Sequence, residues 1–383
     1  MATLTPPRFE RNGIVELMEI DRPFNLSEST SQDLDLGDVL TPEEIAGLAG
    51  VTLGYGTLEG LPELRAELAG ERGIDPDCVL TTQGAVLALF LSAMELCRGG
   101  DNVVVLRPTF PATMDTLRAA GGAIREVPLR FADGYRLGVE RVLDAVDGRT
   151  RLVTLASPQN PSGVAFSRDE LEALATALHR AAPDAWLLVD ETYREASVSG
   201  AIEPSVADLA TRGLPVMTCG SISKAYGTPG LRLGWMTVPD ADLYERLRIA
   251  KMNTVITESV LCETLALRVL ERREPILARQ RDVLSAGLAT IERWLPTVEG
   301  LLSWVRPDAG ALCCMRLDPD AINDDAVRRF YDRQAEFDLQ VSRGAWFGDE
   351  SRVLRVGFGH PKPEVLRPAL DALASLARSV ASS

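Results

Sequence analysis

Lysine is scarce in this chain, which carries 40 basic residues but only three lysines, Lys224, Lys251 and Lys362. Arginine stays protonated, whereas a buried lysine can lose its proton and attack a carbonyl carbon. Lys224 stands in the run Ser221-Ile222-Ser223-Lys224-Ala225-Tyr226-Gly227-Thr228-Pro229-Gly230-Leu231-Arg232-Leu233-Gly234. Small hydroxyl residues flank it, glycines follow, and Arg232 comes eight positions on. That pattern suits an aldehyde cofactor bearing a phosphate. The lysine would form a Schiff base, while the serines and the arginine would hold the phosphate dianion.

Other residues with chemical potential recur after apolar runs. Thr81-Thr82-Gln83-Gly84-Ala85 closes a strand and opens a helix, where a glycine lets backbone N–H groups approach an anion. Pro108-Thr109-Phe110 offers an aromatic face to a planar ring, or simply a core phenylalanine. Ser157-Pro158-Gln159-Asn160-Pro161-Ser162-Gly163 is a plain turn or a rigidly aimed Asn160 amide. Asp190 ends an apolar strand, with Tyr193 three residues later. A carboxylate there is costly unless a cation faces it, and a protonated ring nitrogen would be such a cation.

The elements that must position these groups alternate in kind. Strands are expected at Cys78–Thr82, Asn102–Leu106, Ala123–Pro128, Arg151–Ala156, Trp186–Asp190, Pro215–Cys219 and Arg232–Thr237. Helices are expected at Ala85–Cys97, Thr113–Ala120, Gly138–Val146 and Arg168–Arg180, the last opened by the capping box Ser167/Glu170. Strands spaced by helices predict an α/β fold with a mostly parallel seven-stranded sheet covered on both faces. Open sheets of this kind bind ligands at the carboxyl ends of their strands, where every candidate residue falls. Beyond Asp240 a helical region from Leu243 to Glu271, interrupted around Thr254–Thr257, leads to Glu274–Trp294. A smaller α+β unit follows, with strands near Gly310–Leu317 and Val353–Phe358 and a closing helix Pro363–Val380.

Composition narrows the class. The formal net charge of −15 argues against nucleic acid as a partner. No apolar run approaches the roughly 20 residues a membrane span needs, and the N-terminus lacks the pattern of a secretion signal. Six scattered cysteines predict a reduced, cytoplasmic protein rather than a disulfide framework. Two histidines, His179 and His360, are too few and too far apart for a metal centre, so none is expected.

The ordered set Gly84, Phe110, Asn160, Asp190, Lys224, Arg232 resembles the fold-type I pyridoxal phosphate (PLP) enzymes, and among them the class I/II aminotransferases. The resemblance runs from about Leu53 to Phe358 and includes Tyr55-Gly56-Thr57-Leu58-Glu59-Gly60-Leu61-Pro62-Glu63-Leu64-Arg65. It implies a large PLP-binding domain at 46–245, a small C-terminal domain at 246–383, and an N-terminal segment, 1–45, packed with the latter. It implies PLP as cofactor and a small amino acid as substrate. By the same resemblance Lys224 carries the cofactor and shuttles a proton, and Asp190 keeps the ring nitrogen protonated. Asn160 and Tyr193 bond the phenolic oxygen, and Phe110 stacks on the ring. Gly84, Ala85, Ser221, Ser223 and Arg232 form the phosphate cup. Arg355, in Val353-Leu354-Arg355-Val356-Gly357, grips the substrate carboxylate. Tyr55 reaches the phosphate of a neighbouring subunit, which implies a homodimer with shared active sites.

One stretch departs from the pattern. Families of this kind usually carry a glycine in the N-terminal segment over the substrate, but here it reads Phe24-Asn25-Leu26-Ser27-Glu28-Ser29-Thr30-Ser31-Gln32. Ser221–Trp235 and Val353–Glu364 are also similar to the branch containing capreomycidine synthase, whose members eliminate at Cβ and cyclise a modified arginine. Glu28 is then a candidate to face a cationic side chain, or a solvated glutamate. A PLP-binding transcription regulator would need a basic helix-turn-helix module ahead of Tyr55, for which there is no room, and a Rossmann dehydrogenase would need a GxGxxG that is missing.

Overall fold

The computed structural model describes residues 7–200 and 202–381. Its largest sheet has seven strands in the spatial order Val79–Thr82, Gly234–Thr237, Val216–Ser221, Trp186–Asp190, Thr150–Ala156, Asn102–Arg107, Ala123–Pro128. Only Gly234–Thr237 runs against its neighbours; the other strands share one direction. The central strands carry apolar runs such as 103–106 because both faces are covered, whereas the edge strand Ala123–Pro128 is mixed in sequence and largely open. Successive residues serve opposite sides. Val104 packs with Leu171, Leu174 and Leu178 of the helix Arg168–Ala181. Val103 and Val105 pack with Leu89 of the helix Gly84–Leu96 and Leu247 of the helix Ala241–Met252.

The second sheet is antiparallel, in the order Ser342–Arg343, Val353–Gly357, Leu312–Leu317, Leu302–Val305. The helices Arg273–Trp294 and Pro363–Ala381 cover it, burying Leu288, Ile291, Leu370 and Leu373 with Met315 and Val356. This core continues beneath the Lys224 run through Ala225, Tyr226 and Leu233, so the two sheets are joined at the point where the lysine projects.

All seven expected strands form, two with the expected bounds and five with ends moved by at most two residues. The Ser167/Glu170 capping box is present, with Ser167 accepting from the Glu170 amide. The expected helix Gly138–Val146 is shorter, Val139–Leu143, because Gly138 is extended (φ −115°) and serves as its N-cap. The helical region Leu243–Glu271 is two helices, Ala241–Met252 and Val260–Glu271. Among the described residues no helix is long and apolar enough to cross a membrane.

Residues Phe24–Leu34 form a strap between the two sheets. Phe24–Asn25 pairs in parallel with Leu339–Gln340. Leu26 O then accepts from the Gly357 amide at 2.7 Å, and the Leu34 amide donates to Gly227 O at 2.8 Å. The contacts are close enough to require glycine on the opposing elements. A Cβ at Gly357 would lie 1.8 Å from Glu28 O, and one at Gly227 would lie 2.1 Å from Gln32 O. The strap itself can therefore do without glycine.

Candidate active site

The candidate residues gather along one edge of the large sheet. The reversed strand Gly234–Thr237 begins where the parallel strands end, so Arg232 lies on the same edge as the groups that follow the others. Across the sheet the order is Gly84 and Ala85, Arg232, Ser221 to Lys224, Asp190 and Tyr193, Asn160, then Phe110. Phe110 is half-buried and precedes the helix Pro111–Ala120.

At one end the backbone forms an anion cradle. Gly234 pairs with both Thr82 and Ser221, which sets three chain ends side by side. A Cβ on Gly234 would stand 2.5 Å from the carbonyl carbon of Gly84 and 2.6 Å from the Ala85 amide nitrogen. Gly84 itself has φ +72°, and a Cβ there would be 2.6 Å from Arg232 Nη2. The guanidinium thus lies against the start of the helix Gly84–Leu96, whose N-cap, Gln83, makes no side-chain cap bond. The positive helix end, the arginine and a pair of hydroxyls converge there. Ser221 Oγ donates to Ser223 Oγ at 2.7 Å, and both serines are buried.

Lys224 projects beside this cradle. Burial, with Arg355 and Arg232 nearby, lowers its ammonium to a pKa of about 8, against opposing pulls from Glu28 and Asp33. Its Nζ donates to Ser29 Oγ at 3.1 Å. Asp190 accepts from the Thr192 amide at 3.0 Å, and burial pushes its carboxyl above the usual range while Thr192 and Lys224 pull it down. A half-buried carboxylate in that state gains from a further cation. The Tyr193 hydroxyl is buried without a well-formed hydrogen bond, and burial raises it to about 12 while Arg355 works against the rise.

Arg355 lies across from these groups and is 3 % exposed. Its Nη1 donates to Asn160 Oδ1 at 3.0 Å, and its Nη2 donates to Ser27 O at 2.6 Å and to Ser342 Oγ at 3.2 Å. Its guanidinium rests 4.6 Å from the centre of the Phe347 ring, and its Nε is buried with no partner. Glu28 is exposed on the strap, yet its charge acts on Lys224, Tyr193 and Arg355 alike. Tyr55 stands apart, 84 % exposed at the head of the segment leading to the helix Pro62–Arg72.

The orphaned groups fit a phosphorylated aldehyde with a basic ring nitrogen. The cradle could take the phosphate, Asp190 could pair with a ring cation, and the Tyr193 hydroxyl could bond an oxygen. Sequence reasoning missed Ser29, Ser342 and Phe347, none of which sits in a motif.

The protein family described as Aminotransferase class I and II matches residues 22–373. Capreomycidine synthase of Streptomyces vinaceus is 30% identical over 310 residues, 80% of this chain and 77% of that protein. Arginine–pyruvate transaminase of Pseudomonas aeruginosa is 28% identical over 328 residues, 82% of this chain and 80% of that protein. The crystal structure of the PLP-dependent cyclase OrfR superposes with a TM-score of 0.85 at 26% identity, covering 99% of this chain and 100% of that one.

Proposed function

This chain belongs to the class I and II aminotransferase family of PLP-dependent enzymes, and on that footing we propose that it transfers the amino group of an amino acid with a cationic side chain. The observation that carries the chemistry is the meeting, on one sheet edge, of an anion cradle, a lysine lowered to about 8 and a half-buried aspartate. When bound, PLP supplies an electron sink that stabilises negative charge left at the substrate Cα. Gly84, Ala85, Ser221, Ser223 and Arg232 would hold its phosphate. Phe110 would lie against its ring, Asn160 and Tyr193 would bond its phenolic oxygen, and Asp190 would pair with its ring nitrogen. Lys224 would be the point of attachment, and its amine, once free, would move the proton from the substrate Cα to the cofactor's C4′. A neutral amine is needed for that, and burial with two neighbouring arginines keeps it available near pH 8.

Arg355 receives the substrate carboxylate, using the Nε–H that has no partner. Glu28 supports the choice of side chain, because its carboxylate stands near enough to influence all three of Lys224, Tyr193 and Arg355. Similarity to an arginine–pyruvate transaminase agrees with a guanidino group there. Tyr55 completes the phosphate site of a second copy, so the working unit is a homodimer with shared sites. The six unpaired cysteines accord with a cytoplasmic setting.

A second reading, elimination and ring closure on a modified arginine, is favoured by similarity to capreomycidine synthase and to a PLP-dependent cyclase. One experiment separates the two. The holoenzyme is incubated with single amino acids and no oxo acid. The first reading predicts conversion of the cofactor to its amine form, fastest with arginine-like substrates. A retained visible band with ammonia release or a cyclic product would replace it with the second.

A further inference from the structure

The strap brings a hydroxyl to the reacting nitrogen. Ser29 is 6 % exposed and accepts a hydrogen bond from Lys224 Nζ at 3.1 Å. Its place is fixed from both sides. The Ser31 amide donates to Lys224 O at 3.3 Å, and Gln280 Nε2 donates to Gln32 O at 2.8 Å. On the other flank Arg355 Nη2 holds Ser27 O at 2.6 Å, and Thr30 Oγ1 meets His360 Nδ1 at 3.2 Å. A residue clamped by the Lys224 loop and by the arginine strand at once is not a random surface serine.

We propose that Ser29 is a positioning residue for Lys224, holding its amine through one N–H so that the lone pair stays directed at the substrate. The inference rests on Lys224 being the attachment lysine. Whenever Nζ is not bonded to the cofactor it would be free to donate to Ser29, as it does here. In that interval the amine must stay within reach and keep one orientation. Accepting an N–H fixes the orientation without using the lone pair. The same hydroxyl also stabilises the ammonium, since a hydrogen bond to a charged donor is stronger than one to a neutral donor. The charges that face this nitrogen are Arg355 from the small sheet, Arg232 and Asp190 from the large sheet edge, and Glu28 and Asp33 from the strap.

The test compares wild type with Ser29→Ala and Ser29→Thr. Arylation of Lys224 by fluorodinitrobenzene is followed by peptide mass analysis in the full-length apoenzyme across pH. Wild type should show a midpoint near 8. Losing the hydroxyl removes support from the ammonium, so Ser29→Ala should lower the midpoint by about one unit, and Ser29→Thr should restore it. In the holoenzyme, kcat of Ser29→Ala should fall about tenfold with KM nearly unchanged, because the lost contact acts on the proton step. A midpoint that stays put or rises in Ser29→Ala overturns the proposal, as does a shift that Ser29→Thr fails to reverse. Borohydride fixation of the cofactor to Lys224 in wild type and variant shows separately whether the underlying attachment holds.

Discussion

At the scale of single residues, the site separates groups that bind from groups that react. On the proposed reading Asp190 belongs to the second kind, since a ring-nitrogen partner matters most when negative charge develops in the transition state. Asp190→Ala should therefore cut turnover by 10² to 10³, the equivalent of about 3–4 kcal/mol at the transition state, with a much smaller loss of cofactor affinity. Turnover assays beside a cofactor titration check this, and near-normal activity would end the pairing with the ring nitrogen. Lys224, Asp190, Asn160 and Arg232 were legible in the sequence because each follows or precedes a strand in a recognisable run. Ser29 was not, because its significance lies in a contact with Lys224 across 195 positions of chain. Phe347 was hidden for the same reason, since a phenylalanine under an arginine looks in sequence like any other core aromatic.

At the scale of elements, the sequence showed most where burial is two-sided. Asn102–Arg107 and Trp186–Asp190 contain the uninterrupted apolar runs 103–106 and 186–189, and such runs between turns leave few other readings. The short pieces escaped. Leu302–Val305 is an edge strand of four residues, and Ser342–Arg343 has only two, too few to display a period. The helix Pro62–Arg72 lay inside a run read only as a motif, although Pro62 opens it and Gly73, at φ +66°, closes it. The strap held the main surprise. Its lack of glycine looked like a departure from the pattern, yet the close approach it needs is provided by Gly227 and Gly357 on the elements it crosses. Sequence alone shows which segment has a glycine, and only packing shows which side of a contact needs it.

At the scale of the whole molecule, the candidate site is shared out between two sheets and a strap, and on the proposed reading Tyr55 would belong to the site of a second copy. With 84 % of its surface exposed, Tyr55 has no packing role in its own chain. Mixing Tyr55→Ala subunits with Lys224→Ala subunits should restore activity in part, because one site of the heterodimer then holds both intact groups. Activity no higher than that of either variant, with subunit exchange verified, would remove the shared site. The claim on which everything else depends is that Lys224 is the amine this molecule is built around. Borohydride reduction of the holoenzyme followed by peptide mapping tests it directly. The account predicts that the visible band bleaches and the cofactor is fixed to the peptide containing Lys224. Label on Lys251 or Lys362, or none on any lysine, would contradict it.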